Sequence, residues 1–277
     1  MTLRAAVLAA PWSWLTAFLL LPLAIVLLIA FAGPGEGVPP FTFGFHPENF
    51  STLITDPYYL GAAGRSVQVA AFSSLACLLI AYPMAFAITR APTSWRGPLL
   101  TLTILPFWSG FLLRITAWIG LLGDAGWINT MLLALHIPGA PFTLLYTQGA
   151  MYVGIAYTYL PFMLLPLYAR LSQRDRALED AAADLGATPW HIFWRIIWPL
   201  SLPGVHAGFL LVFIPALGEF VIPELLGGPG AETLGRVLWA EFFTNHDWPI
   251  AAALAILLLI LLIPPAAWWQ WRQGHRA

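Results

Sequence analysis

The chain has 277 residues, 60% of them hydrophobic and 9% charged, with a mean hydropathy of +0.78. A water-soluble fold of this length has too little interior to hide that much apolar surface. Its 13 acids and 12 bases leave a net charge of −1, so no basic field exists to attract nucleic acid. Every base is arginine. The absence of lysine excludes a P-loop lysine, a Schiff-base lysine and a Ser–Lys pair, so the chain cannot be its own P-loop ATPase. The single cysteine, Cys77, rules out an intrachain disulfide or a cysteine-rich metal site and reads as a buried packing thiol.

Six segments reach the roughly 20 apolar residues that a helix needs to cross a bilayer. They lie near 12–32, 66–89, 98–122, 145–169, 203–222 and 248–270. The first follows Arg4, as a signal peptide would, but its apolar run from Ala5 to Ala32 is too long for that. Trp12 and Trp14 suit an interfacial anchor, and a retained helix is expected. Prolines interrupt the spans at Pro22, Pro83, Pro106, Pro161, Pro166 and Pro215, each removing one backbone hydrogen bond. The loops at 33–65, 123–144 and 223–247 hold most of the acids. Their Gly, Pro and aromatic content predicts short irregular or re-entrant pieces, with a small helix near Trp127–Leu135.

Arginine placement sets the orientation. With the N-terminus inside, Arg4, Arg90, Arg96, Arg170, Arg174, Arg176, Arg195, Arg272 and Arg276 all fall on the inner side. Arg65, Arg114 and Arg236 fall outside or within the membrane. The excess of arginine on one side places both termini and the 170–202 loop in the cytoplasm. The expectation is an all-α membrane protein: six transmembrane helices in one domain spanning 1–277, without internal repeats.

The loop after the fourth span is polar and tightly punctuated. Leu178, Ala181, Ala182 and Leu185 form a small apolar stripe at helical spacing. Arg176, Asp180 and Asp184 lie four residues apart on the other face, where unlike charges support a helix. Gly186 fits the left-handed position that ends a helix, and Thr188-Pro189 reads as an N-cap with proline at the first helical residue. The restarted helix places Trp190, Phe193, Trp194, Ile197 and Trp198 on one side, as for a helix lying in a membrane interface, closed by Pro199 and Pro203.

With these residues the loop resembles that of inner-membrane permease subunits of binding-protein-dependent ABC importers, E-A-A-x3-G-x9-I-x-L-P. Asp180, Ala181, Ala182, Gly186, Ile196 and Pro199 match with every spacing kept; Asp180 replaces the usual Glu and Trp198 the usual Leu. The resemblance implies a coupling helix between the fourth and fifth spans, seated in a cleft of an ATP-hydrolysing partner. It makes Arg174, Arg176, Asp180 and Asp184 contacts to that partner. Ala181 and Ala182 allow close approach, Gly186 sets the bend, and Ala187, Ile196 and Pro199 complete the coupling set. It further implies two copies of the ATP-binding subunit, a second permease and a periplasmic solute-binding protein, in a bacterial inner membrane. No catalytic residue, metal or cofactor is implied in the chain itself.

The segments Leu112–Leu135 and Leu217–Leu254, with the phrase GEFVIPELLGG, narrow the resemblance to spermidine/putrescine permeases. That branch also includes permeases for ferric iron, opines and aminophosphonates, so the solute stays open. Ionisable groups at membrane depth are costly and point to function. Glu219 and Arg114 read either as path residues, the acid attracting a cationic solute, or as an ion pair with each other or groups snorkelling to the outer interface. Tyr152, Tyr157 and Tyr159, with Trp108 and Trp118, could hold an ammonium by cation–π contact, although packing is the commoner role for such rings. An ion-gradient-driven carrier is the rival class; it calls for internal repeats and several intramembrane acids.

Overall fold

The computed structural model describes residues 3–274. They form helices apart from one ladder of two-residue strands. The chain divides into two compact units, one of residues up to Gly64 and from Leu234 onward, the other of Arg65–Thr233.

The first unit opens with α1 (Leu3–Leu15), a π turn at Thr16–Leu20 and α2 (Leu21–Ala30). Pro22 offers no N–H to the carbonyl of Phe18, which lies in that wide turn. Strands β1 (Gly33–Pro34) and β2 (Phe41–Thr42) pair antiparallel before α3 (Glu48–Thr55). Buried Asn49 donates to Ala30 O at 3.0 Å and Ala32 O at 2.9 Å, so α3 caps the carbonyl end of α2.

The second span was expected to start at 66. Instead α4 runs Pro57–Arg90, because Asp56 accepts from Tyr58 N at 2.8 Å and Pro57 needs no acceptor of its own. The first unit's core also takes in α3 and two helices near the C-terminus, α13 (Leu234–Trp239) and α14 (Trp248–Gly274). Leu53, Leu234, Val237, Ala253 and Leu254 are buried there.

In the second unit the predicted 98–122 span is not one helix. The chain forms α5 (Thr93–Ile104), a 3-10 turn at Leu105–Trp108, an extended Ser109-Gly110, then α6 (Phe111–Leu122). Pro106 removes the N–H that would continue α5, and Ser109 Oγ donates to Pro106 O at 2.6 Å, which holds the break. Then come α7 (Trp127–Ala134), where the short helix was expected, and α8 (Gln148–Ser172).

The loop helices are α9 (Ala177–Asp184) and α10 (Pro189–Ile192). A π turn at Phe193–Ile197 joins α10 to α11 (Trp198–Leu217), and α12 (Val221–Leu226) closes the unit. Pro199 and Pro203 therefore do not end the α10 helix. The carbonyl of Arg195, four residues before Pro199, lies in the π turn, which absorbs the missing bond. The predicted 203–222 span accordingly starts earlier and stops at Leu217. Among the described residues, five stretches are long and apolar enough to cross a membrane, and Trp248–Ile263 is a shorter apolar helix.

A close seam lies between α8 and α11. A Cβ on Gly204 would sit 2.9 Å from Pro166 O, and one on Gly208 2.7 Å from Met163 Sδ and 3.0 Å from Met163 O. Small residues four apart let the two backbones touch, the usual means of helix association in lipid. Gly208→Val is expected to cost about 1–3 kcal/mol by overpacking. Gly97→Ala, with nothing within 4 Å, should be neutral or slightly stabilising. Thermal unfolding in detergent separates the two.

Candidate functional site

The loop from α8 to α10 is held against the end of α4 by charge. Arg174 is turned inward, its side chain 5% exposed, with Nε 2.6 Å from Glu179 Oε1. Neither atom makes an aligned hydrogen bond, so this is an ion contact rather than a directed bond. Arg90 Nη2 lies 3.5 Å from the other Glu179 oxygen, and both guanidinium groups lie over the ring of Phe86, at 4.3 and 4.9 Å. Burial above all pulls the Arg174 guanidinium below the usual arginine range, while Glu179 pushes the other way.

Arg176 was expected to support the helix through Asp180. Its Nη2 donates instead to Thr89 O at 2.7 Å, a carbonyl in the last turn of α4 that its own helix leaves free. Arg176 precedes the first turn of α9, so it cannot act as a residue within that helix. Glu179, Phe86 and Thr89 were missed from sequence. The Arg174–Glu179 spacing crosses a turn and matches no helical pair rule; the one available clue was an acid beside an arginine cluster.

The bend forms as the spacing predicted. Gly186 has φ +83° and donates to Ala183 O at 2.9 Å, while Ala187 N donates to Ala182 O at 3.0 Å. These are the paired bonds of a Schellman ending. Thr188 then caps α10, its Oγ1 accepting from His191 N at 3.4 Å, with Pro189 at the first helical position. Trp190, Trp194 and Trp198 run as a ladder of rings 5.6 and 5.7 Å apart, joined to Tyr82 through Trp198 at 5.4 Å.

Between the two helices lies an open groove of about 560 Å³, lined among others by Ala182, Gly186, Ala187 and Ile196 from the predicted set. Leu185, which the motif does not include, lines it too and is 90% exposed. Asp180, Ala181 and Asp184 are exposed on α9, and Pro199 is exposed at the start of α11.

The second set of residues divides. Glu219 does not pair with Arg114. Its Oε2 accepts from Tyr159 OH at 2.6 Å, and its Oε1 caps α12 through Val221 N at 3.0 Å and Ile222 N at 3.4 Å. A backbone cap within two residues is closer than any side chain from α6, which is why Arg114 loses the acid. Arg114 stacks on Phe107, 4.4 Å from the ring centroid. Tyr157 meets Trp118 edge-on at 5.5 Å, and both line one cleft with Arg114. Trp108 stands apart and is 80% exposed. Glu219→Ala should cost about 1–2 kcal/mol through the lost cap, and Glu219→Gln, which keeps an acceptor oxygen, much less. Detergent melts of the two variants check this.

The chain thus joins five long apolar stretches to a bent, exposed helix pair. It belongs to the family of binding-protein-dependent transport system inner membrane components, whose pattern matches residues 3–267. It is 39% identical over 245 residues to the spermidine/putrescine transport system permease protein PotB of Haemophilus influenzae, covering 88% of this chain and 85% of that one. To PotB of Escherichia coli it is 36% identical over 243 residues, 88% of each. Its fold matches a bacterial alginate ABC transporter, solved with an alginate-pentasaccharide-bound periplasmic protein, with TM-score 0.76 at 18% identity over 96% and 92% of the two chains. The chain is thus a multi-pass inner-membrane permease subunit of an ABC importer.

Proposed function

We propose that this permease carries a small cationic solute of the spermidine/putrescine class, driven by ATP hydrolysis in a partner subunit. The similarity to the two PotB proteins over 88% of the chain carries this reading. The five long apolar stretches, the apolar part of α14 and the arginine distribution support a reading of six spans with both termini in the cytoplasm. A second permease completes the solute path, two ATP-binding subunits receive the coupling loops, and a periplasmic protein delivers the solute.

Within the loop, the exposed Asp180, Ala181, Asp184 and Leu185 and the groove at Gly186 dock to the ATPase. Arg174 faces inward and positions α9, while Arg176, bonded to Thr89 O yet exposed, anchors the loop and stays open to the partner. Glu219, held by Tyr159, lends negative charge to the path, and the Tyr157–Trp118 pair and Trp108 offer π faces to an ammonium.

The assembled importer, reconstituted with its binding protein, should accumulate labelled spermidine or putrescine only when ATP is supplied on the ATPase side. Accumulation by this chain alone defeats the proposal. A cysteine at Trp190 in a Cys77→Ser background should label only from the cytosolic face. Glu219→Gln should slow polyamine uptake about tenfold at equal assembly; unchanged kinetics confine Glu219 to capping α12.

A further inference from the structure

Arg114 is 9% exposed, and its Nε and Nη1 have no hydrogen-bond partner. Among the described residues no carboxylate lies within the 4.0 Å of an ion pair. The Phe107 ring compensates only in part for a guanidinium withdrawn from water. Glu219, the acid nearest to it by sequence pattern, has both oxygens engaged.

Beside Arg114 opens a cleft of about 400 Å³, lined by Ser109, Leu113, Ala117, Trp118 and Tyr157. Its surroundings are apolar and outward-facing: Leu112 is 61% and Leu113 69% exposed. Lipid chains can cover the leucines but leave the guanidinium unmet. The occupant must be apolar in bulk and carry one acid.

We propose that this cleft receives a spanning helix of the second permease subunit, with an Asp or Glu of that helix meeting the Arg114 guanidinium. The proposal rests on the paired-permease reading above. Charge complementarity selects the occupant, since an acid between membrane helices is stable only where a cation waits for it.

The test uses Ala117→Cys in a Cys77→Ser chain, alkylated with N-ethylmaleimide. Ala117 is exposed in the isolated subunit. Alkylation should be ready in the isolated chain and about tenfold slower in the assembled importer, with or without spermidine. Arg114→Gln should cut recovery of the second permease on affinity purification about tenfold, with the isolated chain melting no lower than the parent. Should that variant fail to fold, Leu113→Arg, which adds a charge at an exposed position, should block the same recovery.

Protection that requires spermidine makes the cleft a solute subsite and overturns the proposal. Protection of the isolated chain by lipid nanodiscs alone overturns it in favour of lipid. Full recovery of the second permease with both variants overturns it outright. None of these results bears on whether the importer transports polyamine, which the uptake assay decides separately.

Discussion

Gly186→Pro is expected to reduce uptake to background while the protein reaches the membrane in normal amount. Proline fixes φ near −65°, whereas Gly186 sits at +83°, and the substitution also removes the N–H bonded to Ala183 O. The local cost is about 3 kcal/mol or more, far above what an eight-residue helix can absorb. α9 then leaves its angle to α10, and the groove that carries Ala182 and Ile196 is lost. The spans do not depend on this bend, so abundance should hold. Gly186→Asn, which tolerates the left-handed region, should retain most activity, and Gly186→Ala should fall between the two. Uptake normalised to membrane abundance reads all three; normal transport by the proline variant rules out a coupling role.

Glu179→Ala should be the most damaging change in the loop away from the bend. It leaves the Arg174 side chain, 5% exposed, without its acid, and it frees Arg90. Removing one partner of a buried pair costs about 3 kcal/mol or more, because the remaining charge has no water to return to. The double variant Arg174→Met with Glu179→Ala should recover part of that loss. The contrast is Glu232→Ala: its pair with Arg65, at 3.1 Å, is 37% and 43% exposed and should cost under about 1 kcal/mol. A double-mutant cycle on thermal unfolding distinguishes the buried latch from the solvated pair.

The bend was legible because helix endings are local: a left-handed glycine, a threonine cap and a proline act within four residues, and their order survives any tertiary setting. The breaks were less legible. Pro106 and Pro199 look alike in a sequence, yet one ends α5 in a 3-10 turn and the other rides a π turn inside a continuous helix. Which outcome holds depends on whether neighbouring backbone can take up the missing bond. Charge pairing was read least well. Arg114 and Glu219 were matched by depth alone, but Glu219 is claimed by the N–H groups beside it. Arg176 was assigned to its own helix and reaches across to Thr89. Partners from distant elements leave no periodic trace.

The unbroken helical path from Pro189 to Leu217 turns the loop into one arm of a rod. Twenty-nine residues at 1.5 Å each give a length of about 43 Å. Pivoted at its middle, a tilt of about 5° swings either tip by roughly 2 Å. On the proposed coupling, a displacement at the tryptophan ladder would travel along this one helix toward Gly218, beside the Tyr159–Glu219 contact, with the π turn as its most compliant point.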